Sequence, residues 1–189
     1  MTVEWTQHRF SGGALALDVA NTVVLRGDPE RGFDRFDDPD ELRRFCAAAN
    51  RFRADELGGG RLTVADPRSA RPALIALREA TDALFREAAR QGRLSEAGLP
   101  LFLRACADNL EQGRAGAGGV PLQSATALSA LGLLAPGKAA RIRICDNCGW
   151  LFLDGSRNGS RRWCDMAVCG NRRKARRHYE RRARREAQP

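Results

Sequence analysis

Apolar positions recur at three- and four-residue spacing through the first two thirds of the chain, and that period predicts helices. The clearest run is Leu74, Leu77, Ala80, Thr81, Leu84, Phe85 and Ala88, which follows Asp66-Pro67 and reaches toward Arg90 before Gln91-Gly92. Asp followed by Pro starts a helix, because the side chain satisfies a free N–H and proline has none to lose. Gly ends one, because it accepts left-handed backbone at no steric cost. The same punctuation at Asp38-Pro39-Asp40-Glu41 predicts a second helix, capped by Asp38, opened by Pro39, with Glu41 as capping-box acid, running to about Phe52. Ser95 caps a third through Leu99, Phe102, Leu103, Cys106 and Leu110, with Pro100 tolerated near the first turn. Ser124 to Leu134, stopped by Pro136-Gly137, forms a fourth. From Ala14 to Leu25 the pattern leaves two readings open. Leu15, Leu17 and Val19 alternate like a strand, whereas Leu17, Ala20 and Val24 fit a helix. Arg26 to Asp37 reads as a loop and Gly113 to Gly119 as a break.

Beyond Pro136 the period shortens to two. Arg141-Ile142-Arg143-Ile144 and Trp150-Leu151-Phe152-Leu153 predict two short strands, and Asp154 to Ser160 is rich in turn formers. Asp165 is placed to cap a last helix that holds Cys169 in its first turns and continues to about Glu186. The expected fold is a mainly α first domain over residues 1–136, with room for a small β-hairpin. A treble-clef-like or ribbon-like module, a β-hairpin with a long basic helix, follows over residues 137–189.

Charge sharpens this division. The 189 residues carry a net +9. Residues 1–136 hold 17 Lys and Arg against 18 Asp and Glu, and residues 137–189 hold 15 against five. A neutral domain joined to a strongly basic one is the pattern of a polyanion-binding protein. No apolar run approaches a membrane span, and Glu4 and Asp18 interrupt any signal-peptide core, so a cytoplasmic location is expected.

Four of six cysteines, Cys145, Cys148, Cys164 and Cys169, fall within 25 residues of the basic part. In a reducing compartment such clustering points to metal rather than disulfides. C-x2-C and C-x4-C pairs provide four thiolates, which suit a tetrahedral d10 ion and leave no position for a reactive water. One structural Zn2+ is therefore expected, ligated by Cys145, Cys148, Cys164 and Cys169. Zinc with four thiolates carries a formal −2, which Arg161, Arg162 and Arg172 are placed to offset.

Here the sequence resembles a known family. Trp163-Cys164-Asp165-Met166-Ala167-Val168-Cys169-Gly170-Asn171-Arg172, with Cys145-x-x-Cys148 and Gly149-Trp150-Leu151-Phe152-Leu153-Asp154 in register, is similar to the CGNR zinc finger. Leu15-x-Leu17-Asp18-x-x-Asn21-Thr22 resembles the opening of the ABATE domain, which precedes that finger in bacterial proteins described as candidate stress-induced transcription regulators. The resemblance implies zinc and DNA binding. It supplies no effector or operator.

From Arg172 to Arg185, nine of fourteen residues are basic and one, Glu180, is acidic. Val168, Ala175 and Tyr179 make a narrow apolar stripe expected to pack on the zinc hairpin. Arg173, Lys174, Arg177, Arg181 and Arg184 face the other way. Arg172, Arg176 and Arg182 flank the stripe, toward the metal module. Like charges at i, i+4 disfavour this helix unless an anion covers it. The candidate nucleic-acid contacts are Arg157, Arg161 and Arg162 from the loop and Arg172, Arg173, Lys174, Arg176, Arg177, Arg181 and Arg184 from the helix. Double-stranded DNA is the expected partner. An RNA-binding or ribosome-associated role is the first alternative, with Trp150, Phe152 and Trp163 as stacking platforms. In the first domain Asp18, Asn21, Thr22 and Arg26 fall at one-face helical spacing and form the candidate effector pocket. That domain would then sense a ligand or mediate homodimerisation. No P-loop, nucleophile elbow, dinucleotide fingerprint or zincin motif is present, and His8 and His178 are the only histidines, so an enzyme is not expected. The second alternative is a small-molecule-binding or enzymatic first domain with a purely structural finger.

Overall fold

The computed structural model describes residues 3–113 and 119–186, with side chains as far as Arg182. The centre of the expected Gly113 to Gly119 break, residues 114–118, lies outside the described residues. Five helices form the body: α1 Leu15–Ala20, α2 Glu41–Phe52, α3 Pro67–Gln91, α4 Leu99–Gly113 and α5 Leu122–Gly132. The open segment 14–25 is helical at Leu15, Leu17 and Val19, where the strand reading lies, and extended at Val24, which the helix reading includes. It holds α1, then β1 Val23–Val24, which pairs antiparallel with β2 Phe33–Asp34 inside the expected loop. A parallel bridge joins β3 Leu62–Thr63 to β4 Val120–Pro121. No described helix is long and apolar enough to cross a membrane.

The caps explain most boundaries. The Asp66 side chain accepts from Arg68 N at 3.0 Å, Pro67 opens α3, and Gly92 closes it at φ 73°. Helix α2 begins two residues later than expected. Asp38 accepts from Asp40 N at 2.9 Å and holds a turn before the helix. Glu41 does not close a capping box; it accepts from Val3 N at 3.1 Å and Trp5 Nε1 at 2.8 Å, fastening the chain's beginning to α2. Ser95 precedes a 3-10 turn, Glu96–Gly98, without a side-chain cap, and α4 follows.

Beyond the body, β5 Ile142–Ile144 and β6 Leu151–Leu153 form an antiparallel hairpin with Ile142 opposite Leu153. Asp165 accepts from Val168 N at 3.1 Å and caps a π-turn, Met166–Gly170, which runs into α6, Asn171–Glu186. The division at residue 136 marks a change of charge but not of packing. Ile142 and Leu151 are buried in one cluster with Leu17, Leu77, Phe85 and Phe102. A second cluster joins Leu15, Val19, Phe36, Phe45 and Leu74. The zinc hairpin is a wall of the principal core.

Candidate metal centre and nucleic-acid interface

The metal centre is built from two turns. Cys145 leaves β5, and Gly149 at φ 73° folds the chain back so that Gly149 N donates to Cys145 O and Cys145 N to Trp150 O. A Cβ at Gly149 would meet nothing within 4 Å, so backbone conformation alone requires glycine there. The second pair brackets Asp165: Cys164 precedes it, and Cys169 sits in the π-turn that follows. All four sulfurs lie within 4.8 Å of one another. Cys148 to Cys164 and Cys164 to Cys169 are each 3.7 Å. Zinc–sulfur bonds of about 2.3 Å in a tetrahedron put sulfurs about 3.8 Å apart, so the spacing fits Zn2+. Hydrogen bonds from Cys148 and Cys164 hold the Cys145 thiol below its ordinary range. The other three thiols of the tetrad are raised, and burial pushes the solitary Cys46 up to about 12 and Cys106 up to about 11. Those two are apolar filling. The tetrad Cys145, Cys148, Cys164 and Cys169 is the ligand set of one structural zinc.

The body reaches into this centre through residues that no local motif announces. His8 stacks on Trp150 with ring centroids 5.3 Å apart. Its Nδ1 lies 3.2 Å from Asp165 Oδ2 and its Nε2 4.0 Å from Cys169 Sγ. Arg86 on α3 donates to Gly149 O at 2.8 Å. Arg35, 4% exposed, lies over the Trp150 ring at 5.2 Å and donates to Asn21 O. Burial lowers its guanidinium to about 10, which leaves it charged beside the thiolates at neutral pH.

The four residues of the expected effector pocket do not converge on one cavity. Asn21 clamps the hairpin: its Nδ2 donates to Leu151 O at 2.8 Å and its Oδ1 accepts from Leu151 N at 2.9 Å. Asp18 is buried, accepts from Gly12 N and pairs with Arg53. Burial pushes its carboxyl up to about 6 against the pull of Arg53. Thr22 donates to Val19 O and accepts from Arg78. Arg26 pairs with Glu79 and Asp82. Asn21 and Arg26 line a small cleft of about 320 Å³ beside the Cys148 turn, but Asp18 and Thr22 do not. Their polar atoms are spent on internal bonds, so they hold structure together.

The basic residues divide unexpectedly. Arg161 donates to Trp163 O and Cys164 O and lies over the Phe152 ring, and Arg162 pairs with Asp146. Both therefore brace the finger. Arg157 is exposed and makes no ion pair among the described residues. The expected packing of α6 on the hairpin is not found. Every side chain from Lys174 to Arg182 is exposed, Ala175 included, and Tyr179 is 70% exposed. The apolar stripe is too narrow to bury, so Arg172, Arg176 and Arg182 do not form a metal-facing side. Arg172 is exposed, Arg173 half-buried, and Arg176 pairs with Glu180. His178 is solvated. The Arg184 side chain lies outside the described residues. Trp150 and Phe152 are buried and Trp163 half-buried around the sulfurs, which makes them the finger's own core.

Fold and site together define a helical body welded to a four-cysteine zinc finger with a basic outer helix. Residues 13–143 match the family model ABATE, described as "Putative stress-induced transcription regulator", and residues 141–182 match the CGNR zinc finger. The chain belongs to the ABATE family and carries a CGNR zinc finger. Searches of the curated proteins and of the solved structures each returned no match.

Proposed function

We propose that this zinc-binding regulator family member binds double-stranded DNA through α6 and the loop at Arg157, with no catalytic step of its own. The observation that carries the reading is the exposure of every side chain from Lys174 to Arg182 in α6. A helix polar all round, with Arg173, Arg177 and Arg181 in file, gains little from packing, and its Arg176–Glu180 pair is a solvated one. Phosphates remove the repulsion, and guanidinium forks suit phosphate oxygens and guanine edges. Arg173, Lys174, Arg177 and Arg181 are the contacts on the helix, with Arg157 on the backbone. Burial of Trp150 and Phe152 favours duplex over single strands, because a base-stacking platform must be open. The body, through the His8, Asn21 and Arg86 contacts, would set the pose of the finger, in the cytoplasm, as a monomer or homodimer.

Fluorescence anisotropy of zinc-loaded protein on a random duplex tests this. If five side chains neutralise phosphates, the logarithm of affinity falls against the logarithm of salt with a slope of about −4.5. Each Arg→Ala change at Arg173, Arg177 or Arg181 makes the slope shallower by about 0.9. A slope near zero rejects the proposal. Tighter binding to structured RNA than to duplex DNA at equal salt moves the function to RNA.

A further inference from the structure

A cleft of about 570 Å³ opens where α1, the chain after α2, α5 and the end of β6 meet. Its apolar lining includes Leu15, Phe52, Leu57, Leu128, Leu133 and Leu153. Leu128 is 60% exposed, a large apolar side chain left uncovered on the wall. The volume falls within the range of small-molecule sites. At the base each Glu56 oxygen accepts one bond and keeps a second lone pair for a ligand donor. Glu56 accepts from Leu15 N at 2.8 Å and from Ser129 Oγ, which itself accepts from Ala16 N at 3.0 Å.

The charges at the cleft decide what it would take. Arg53, Asp55, Glu56 and Lys138 line it. Arg53 is tied to the buried Asp18, which is not part of the lining, and also donates to Phe10 O. That leaves Asp55 and Glu56 against Lys138, one negative charge in excess. Asp55 and Lys138 are exposed and make no ion pair among the described residues. On a chain of net +9 an anionic ligand would be drawn to the arginine-rich helix instead. We propose that this cleft binds an amphipathic organic cation, with an apolar ring system on the leucine-lined floor and one protonated amine at Asp55 and Glu56.

The proposal goes beyond the DNA reading and does not depend on it, but its position gives it a consequence for the finger. Leu153 ends β6, and Leu153 N donates to Gly12 O at 2.8 Å. A Cβ on Gly13, at φ 82°, would fall 3.1 Å from Leu153 Cβ. The floor of the cleft is thus the seam between the zinc hairpin and the entry to α1. A ligand seated there stiffens the seam.

Tryptamine and indole-3-propionate share a ring and differ in the sign of the charge. Calorimetric titration of each into the zinc-loaded full chain, without DNA, reads the site independently of nucleic-acid binding. Tryptamine saturates one site and binds about tenfold tighter than indole-3-propionate. Asp55→Asn weakens that preference, and Leu128→Arg, a change at an exposed position that spares the core, abolishes tryptamine binding. Circular dichroism verifies that both variants are folded. Absence of saturable tryptamine binding, tighter binding of the carboxylate, or tryptamine binding unchanged by both substitutions overturns the proposal.

Discussion

The two halves of the zinc module meet the rest of the chain in opposite ways. Hairpin β5–β6 is pressed into the body, with Ile142 and Leu151 fully buried and Asn21 bonded to both backbone groups of Leu151. Helix α6, a few residues past the last sulfur, has no covered face from Lys174 to Arg182. The zinc sits at the joint. It fixes the start of the helix to a hairpin that is itself part of the core, so the orientation of a solvated rod is inherited from a packed domain. A charge boundary in sequence is therefore no guide to where a folding unit ends: the change at residue 136 cuts through one hydrophobic cluster.

Breaking the joint gives the largest effect. Cys169→Ser, or removal of zinc by a strong chelator, forfeits on the order of 10 kcal/mol of metal-linked folding energy. Because the hairpin shares its core with α1 and α3, the loss spreads into the body. Far-UV circular dichroism and thermal melting will report one cooperative transition at a much lower temperature. A body that melts unchanged after chelation would reveal two independent domains and undo the comparison. Next in size is Asn21→Ala. It removes two hydrogen bonds and leaves Leu151 N–H and C=O buried without partners, costing about 3 kcal/mol. Urea denaturation should register this as a lower midpoint with the zinc content unaltered.

Much of the frame was legible because its signals are local. The Asp66-Pro67 start, the Gly92 stop and the spacing of four cysteines each speak within a few residues of where they act. The joint was not legible, because its contacts join distant positions. Asn21 meets Leu151 across 130 residues and His8 meets Asp165 across 157. Asn21 and Asp18 do stand out in sequence as polar positions at one-face helical spacing, but such a residue serves as pocket or clamp according to a partner the spacing does not name. Glu41 shows the same ambiguity at shorter range, since a helix-start acid suited to a capping box is taken by Trp5 and Val3 instead. The stripe Val168, Ala175 and Tyr179 misled for another reason. Periodicity predicts which face could bury but not whether a surface exists to receive it.

His8→Ala tests the body's reach into the metal centre at smaller scale. Residues that orient a ligand from outside the coordination shell are worth about tenfold in metal affinity. Competition against a chromophoric chelator should show zinc held about tenfold less tightly. His8→Gln is expected to recover part of this through its amide donor. Equal zinc affinity in all three proteins would make the Trp150 stack a packing contact alone.

The smallest effect on stability is expected where the sequence is most charged. Deleting residues 174–189 removes the described side chains from Lys174 to Arg182, all of them exposed. Exposed positions away from caps and cores contribute within about 0.5 kcal/mol each way, and the i, i+4 repulsion of Arg177 and Arg181 is relieved. The melting temperature of the zinc-loaded protein should therefore stay within a few degrees of the parent. Duplex affinity at low salt should fall by about 10³ as the phosphate contacts disappear. The two readouts must separate for the contrast to stand. If truncation lowers the melting temperature as far as Asn21→Ala does, α6 packs on the body in solution and the finger is anchored at both ends rather than one.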